Sequence, residues 1–131
     1  MANSLFSKIV AREIPAHIVA ENEHCLAFLD VFPLVEGHTL VIPKKEVDYL
    51  FDLDDAQYQA LMAFSKRVAQ AIHAAIPCRK VGLSVVGLEV PHAHVHLIPL
   101  QTIGDMNFGK EKHRVSDDQL AEVALRIQQY L

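Results

Sequence analysis

Near the C-terminal end, His92-Ala93-His94-Val95-His96 alternates imidazoles with small apolar side chains, continues into Leu97-Ile98 and stands between Pro91 and Pro99. In an extended strand successive side chains point to opposite faces. A strand from His92 to Leu100 therefore lines up three imidazoles on one face and sets Ala93, Val95 and Leu97 into apolar packing on the other. Such a strand needs a sheet with a core behind it. It also presents, on its other face, three groups whose charge changes near neutral pH.

The rest of the chain supplies that sheet. Ser4 can cap a short helix through about Arg12, with Leu5, Phe6, Ile9 and Val10 at helical spacing, before Pro15 stops it. Strands His17 to Glu21 and Cys25 to Leu29 flank the turn-prone Asn22-Glu23, and a third, Thr39 to Ile42, runs between Gly37 and Pro43. Asp54 with Gln57 suits a capping box for a long helix ending near Pro77, with Leu61, Phe64, Val68 and Ile72 on one stripe. Lys80 to Val86 reads as a fourth strand, joined to His92 to Leu100 through Gly87-Leu88-Glu89. Gln101 to Val115 reads as a polar loop. Ser116 to Gln119 then caps a C-terminal helix with Leu120, Val123, Ile127 and Leu131 inward. The expectation is one α+β domain over residues 1–131: a five-stranded antiparallel sheet, one long helix and a terminal helix.

Composition bounds the function. The 131 residues are 51% hydrophobic, enough for a single core that buries roughly two thirds of the unfolded chain's surface. A net charge of −4 and a pI near 6.0 argue against bulk affinity for nucleic acid or anionic lipid, so an anionic ligand needs a local site. No apolar stretch approaches the roughly 20 residues that span a bilayer, and the N-terminus lacks a secretory pattern; the expected location is the cytoplasm. Cys25 and Cys78 lack C-x-x-C spacing and sit in apolar elements, as buried reduced thiols do.

Three readings of the histidine row compete. Structural histidines would each need a buried polar partner and would crowd on protonation. A metal site is limited by geometry: Cβ atoms of alternate strand residues lie about 6.7 Å apart, so His92 and His96 stand about 13 Å apart. Zinc with nitrogens at roughly 2.0–2.1 Å could take two neighbours of the row, with further ligands drawn from His17, His24 or His38. The third reading is nucleophilic catalysis, in which one imidazole attacks phosphorus and its neighbours set tautomer and protonation.

The motif His-φ-His-φ-His-φ-φ over residues 92–98 resembles that of the histidine-triad (HIT) family. Ser4-Leu5-Phe6-Ser7-Lys8-Ile9, Glu13-Ile14-Pro15-Ala16, Leu26-Ala27-Phe28-Leu29-Asp30 and Gly37-His38-Thr39-Leu40-Val41-Ile42-Pro43-Lys44 look like successive blocks of its Hint-like, nucleotide-binding branch. The resemblance covers about residues 4–100, leaving 101–131 as a loop and helix extension. It implies a HIT fold that pairs into a homodimer with one continuous sheet. It also implies hydrolysis or transfer at the α-phosphorus of a purine nucleotide conjugate, through a nucleotidyl-histidine and without a cofactor or catalytic metal. On this resemblance His94 is the nucleophile, His92 and His96 flank it, and His38 lies near the triad. Asp30 would accept the ribose hydroxyls, although as a turn residue before Pro33 it has an ordinary alternative. Leu5, Phe6, Ile9, Phe28, Leu29, Val31 and Leu40 match an apolar slot for the base, and Glu89 and Val90 fall at the substrate.

Departures mark where this chain differs. Ser4 and Ser7 stand where zinc-carrying members have a Cys-x-x-Cys pair, and Glu46 where a histidine is common, so structural zinc is not expected. Glu89 replaces a phosphate-binding serine; a carboxylate about 4 Å from a phosphate costs roughly 1 kcal/mol in water and about 4 kcal/mol at an effective dielectric near 20. Either Glu89 turns away, or it meets a proton or a cationic leaving group, and the last of these would select substrates carrying an amine. The connection before the triad is also short. Phosphoramidate cleavage is the leading expectation, with dinucleoside polyphosphate cleavage or a catalytically weak nucleotide-binding module as alternatives.

Overall fold

The computed structural model describes residues 4–112 and 114–131. Five strands form one antiparallel sheet: β1 (Ile18–Glu21), β2 (Cys25–Leu29), β3 (Thr39–Pro43), β4 (Lys80–Ser84) and β5 (Val95–Leu100), in the order β1-β2-β3-β5-β4. Three α-helices complete it: α1 (Leu5–Val10), α2 (Asp55–Ala75) and α3 (Asp117–Gln128). Ser4, Asp54 and Ser116 cap them, each side chain accepting a backbone N–H from three residues on. None of the described helices is long and apolar enough to cross a membrane.

β2 and β3 are buried at every position because both faces of the sheet are covered, and the pleat sorts their side chains into two cores. On one face Ala27, Leu29, Val41, Val95 and Leu97 pack under Leu61, Phe64, Val68 and Ile72 of α2 and Leu120, Val123 and Ile127 of α3. On the other, Leu26, Phe28, Leu40 and Ile42 pack under Phe6 and Ile9 of α1. Burial of those two α1 side chains stabilises by about 1.5–3 kcal/mol each. A helix of six residues needs that support, since helices this short do not persist alone in water. His96 lies opposite Leu40 in the ladder, and so belongs to the α1 face.

The structure corrects several expectations. β5 begins at Val95 rather than His92. The Ala93 N–H donates to Val47 O (2.7 Å) and the His92 N–H to Val90 O (2.8 Å), while the carbonyl of Pro43, at the end of β3, accepts from the His92 ring at 2.7 Å. An imidazole thus takes an acceptor that a ladder N–H would otherwise use, and residues 92–94 leave the sheet. β4 ends at Ser84 rather than Val86, ahead of Gly87, which turns the chain at φ 67°. Leu131 lies beyond the end of α3 and is 54% exposed, not inward. Within 101–115 a 3-10 turn spans Ile103–Met106, closed by a capping box between Thr102 and Asp105. Gly37, at φ 91°, holds a conformation strained for any side chain, and a Cβ there would also press on Ile76 at 3.1 Å and Pro99 at 3.2 Å. This close turn delivers His38 to the start of β3.

Candidate active site

Backbone groups assign the ring protons of the four histidines. A carbonyl only accepts, so the His94 Nδ1, 2.8 Å from the His92 carbonyl, carries a proton; in the neutral ring Nε2 then keeps its lone pair. His92 Nε2 donates to the Pro43 carbonyl, which leaves its Nδ1 to accept from the Ser4 hydroxyl at 2.9 Å. His38 Nδ1 accepts the Leu34 N–H at 3.1 Å, so its Nε2–H donates to His96 Nδ1 at 3.0 Å. His96 is left with a proton on Nε2. The Nε2 lone pair of His94 and a neighbouring N–H donor therefore come from adjacent rings, His94 and His96, whose centroids are 4.9 Å apart.

Burial keeps the supporting rings neutral. His38, 1% exposed, is lowered to about 4, first by burial and then by the charges of Lys112 and His94. His96 is lowered to about 3, first by burial and then by the His38, His94 and Lys112 charges. His92, fully buried, is also lowered, chiefly by burial.

Asp30 follows β2 directly. Its Oδ1 accepts the Phe32 N–H at 2.9 Å, which is the turn role, and its Oδ2 lies 3.7 Å from His38 Nε2. Burial raises its pKa; the Phe32 N–H, Lys112 and His94 pull it down, and the charge of Glu89 adds to the rise. Glu89 is exposed, and Val90 is partly buried against the α1-side core.

Phe6, Ile9, Phe28 and Leu40 lie together beneath α1, and Phe6 stands edge-on to His94 at 4.9 Å and to Phe28 at 5.4 Å. Leu5 and Val31 are about half exposed. Leu29 does not join them: as the strand neighbour of Phe28 it points through the sheet into the α2 and α3 core.

One neighbour of the triad escaped the sequence reasoning, and three singled out there as departures from the family pattern take on a different role. Phe108 stands edge-on to His96, with ring centroids 4.7 Å apart, and 6.5 Å from His38, so the segment after β5 folds back onto the His38–His96 pair. An aromatic flanked by Asn107 and Gly109 in a polar stretch was its only signal. Ser4, Ser7 and Glu46 join in hydrogen bonds around His92. A cavity of about 590 Å³ between the β2–β3 loop and α3 is lined by Asp30, His38, Arg114 and Arg126. It includes none of the triad rings.

Asp30, His38 and His96 bring three potential ligand atoms within 4.8 Å of one another. The proton assignment does not suit a cation there. His38 Nε2 carries the proton and His96 Nδ1 already accepts it, so neither nitrogen offers a lone pair to a metal.

The HIT domain family matches residues 11–103. An adenosine 5′-monophosphoramidase of Saccharomyces cerevisiae is 36% identical over 99 residues, covering 75% of this chain and 63% of that protein. The crystal structure of a Hit-like protein involved in cell-cycle regulation from Bartonella henselae superposes with a TM-score of 0.86 at 30% identity, over 98% of this chain and 97% of that one. A Zn-bound histidine triad family protein from Mycobacterium smegmatis gives 0.79 at 26% identity, over 96% and 91%. With the histidine row on the α1 face of a five-stranded sheet and a family match across most of its length, the chain belongs to the HIT domain family.

Proposed function

We propose that this protein is a nucleotide hydrolase or transferase acting at the α-phosphorus of purine nucleoside monophosphate conjugates, with phosphoramidates as its leading substrates. One observation carries the reading: the His92 carbonyl holds the Nδ1 proton of His94, which leaves Nε2 as a nucleophile beside the His96 N–H. In the first step His94 Nε2 bonds to phosphorus as the bond to the amine breaks, and the amine, whose nitrogen is already protonated in the bound phosphoramidate, departs as the neutral molecule. In the second, water breaks the P–N bond and frees His94 and the nucleotide. The His96 Nε2–H would hold a non-bridging oxygen, Asp30 the ribose hydroxyls, and Leu5, Phe6, Ile9, Phe28, Val31 and Leu40 the base. The yeast relative acts on an adenosine 5′-monophosphoramidate, which supports the choice of substrate. The test is release of AMP from adenosine 5′-phosphoramidate by the metal-stripped protein; binding of AMP without turnover would favour a silent nucleotide-binding module.

Phe108 and Glu89 are the leaving-group determinants in this reading. Phe108 covers His96, and the charge of Glu89 reaches Asp30, so a cationic amine relieves a repulsion that an alcohol does not. Glu89→Ser is expected to lower the ratio of phosphoramidate to phosphate-ester turnover by about tenfold, the factor that corresponds to 1.4 kcal/mol, and Phe108→Ala to flatten leaving-group preference. An unchanged ratio in both variants would remove them from the site.

The reading includes a homodimer. β4 stands at the end of the sheet order, and Leu83, Val86 and Leu88 on or just after it are exposed, a strand edge suited to a second copy. Light scattering should give a mass near twice 14.6 kDa; a monomer at working concentration would exclude the pairing.

A further inference from the structure

His92 is held on its buried side by three polar side chains to which the proposed reaction assigns no part. Glu46 Oε1 accepts two bonds, from the Ser4 N–H at 2.6 Å and from the Ser7 hydroxyl at 2.8 Å. Those bonds hold the Glu46 carboxyl down to about 2, so it acts only as an acceptor. The Ser7 hydroxyl, committed to Glu46, has no proton for His92, whose Nδ1 lies 3.4 Å away. The Ser7 N–H occupies Ser4 Oγ at 2.9 Å, and the one hydroxyl proton left, that of Ser4, faces Ser7 Oγ at 3.2 Å and His92 Nδ1 at 2.9 Å; the shorter contact, to the ring nitrogen that Pro43 leaves unprotonated, takes it. At the far end of the ring Nε2–H meets Pro43 O. With both ends fixed, the neutral ring has a single tautomer.

Zinc does not fit these donors. Structural zinc takes four ligands drawn from thiolate, imidazole and carboxylate, and here two of the four positions are serine hydroxyls already engaged as hydrogen-bond donors. Only Glu46 and His92 remain as candidate ligands, and the His92 nitrogen that faces them is occupied.

We propose that Ser4, Ser7 and Glu46 form a metal-free clamp that locks His92 as its Nε2–H tautomer and, through the His92 carbonyl, aims the nucleophile His94. Glu46 and Ser4 are then positioning residues. They also pin the first turn of α1, which carries Phe6 against both His92 and His94. The effect on turnover rests on the function proposed above, whereas the tautomers do not.

Long-range 1H–15N spectra of histidine-labelled protein test it, alongside zinc analysis of the purified chain. The expected pattern is a bare Nδ1 and protonated Nε2 on His92, with the reverse on His94, and well under one zinc per chain. Glu46→Ala and Ser4→Ala should move the His92 Nδ1 resonance toward that of a nitrogen without a hydrogen bond, while the Pro43 carbonyl keeps Nε2 protonated, and lower kcat about tenfold, one hydrogen bond's worth of orientation, while AMP affinity changes less than about twofold. Glu46→Gln, whose amide oxygen still accepts both bonds, should restore the His92 pattern and most of kcat. The proposal is overturned by a protonated Nδ1 on His92 in the unaltered protein, by about one bound zinc whose removal shifts the His92 signals, or by a Glu46→Ala spectrum identical to the original. If Glu46→Ala fails to fold, the unaltered protein and Glu46→Gln still decide. If the unaltered protein cleaves no phosphoramidate, the functional reading fails while the spectra judge the clamp separately.

Discussion

Replacing His94 with alanine is expected to lower kcat at least about 10³-fold and to abolish any covalent adduct, because the variant has no atom to bond to phosphorus. Neighbouring rings do not substitute. His92 has both nitrogens committed, to Pro43 and Ser4, and His96 uses Nδ1 to accept from His38 and carries its proton on Nε2. AMP binding should survive, because Asp30 and the apolar residues under α1 are untouched. Intact mass after rapid quenching with adenosine 5′-phosphoramidate provides the check: one nucleotidyl group on the unaltered protein, none on His94→Ala. Turnover within tenfold of the original in His94→Ala would place the nucleophile elsewhere.

Much of this site could be read from periodicity. The alternation at residues 92–98 put the rings on one side of the chain, and the ladder pairing of His96 with Leu40 shows that side to be the face under α1. Periodicity failed where a side chain competed with the backbone. Counting alternate residues extends the strand back to His92, but nothing in the count reveals that an imidazole, not an N–H, takes the Pro43 carbonyl. Leu29 illustrates the opposite error, since the same alternation, applied to Phe28 and Leu29, separates them across the sheet, and only the family pattern grouped them together. At Ser4 and Ser7 the spacing was legible. Residues three apart at a helix start face one way, as a thiol pair at that spacing does, but whether they meet a metal or a carboxylate depended on Glu46, 39 residues further along the chain from Ser7. Phe108 lay beyond reach for a different reason: its contact with His96 comes from the path of the segment after β5, and a polar stretch with two glycines has no period to follow.

The buried histidines also make the fold sensitive to mild acid. His38 and His96 are lowered from 6.5 to about 4 and about 3, so between those values and 6.5 the unfolded chain binds protons that the folded chain refuses. Stability is then full above about pH 6.5 and is lost as pH falls toward the folded values. One pKa unit is worth about 1.4 kcal/mol. Each ring could contribute up to about 2 kcal/mol between pH 7 and pH 5, and with their shared repulsion counted once the pair is expected to cost roughly 2–3 kcal/mol. His92 is lowered in the same direction. Asp30 is raised and works in the opposite sense, while Glu21, Glu46 and Asp105 are lowered carboxylates whose losses begin only nearer pH 4. The window from pH 7 to pH 5 therefore leaves out the lowered carboxylates, and Asp30→Asn as the background removes the opposing contribution of Asp30. Urea unfolding at the two pH values measures the difference, and His96→Asn, with one titrating ring removed, should show about half of it. A stability that stays flat from pH 7 to pH 5 would mean that His38 and His96 take up protons within the fold, and that the neutral relay from Leu34 through His38 to His96 is not what holds the triad.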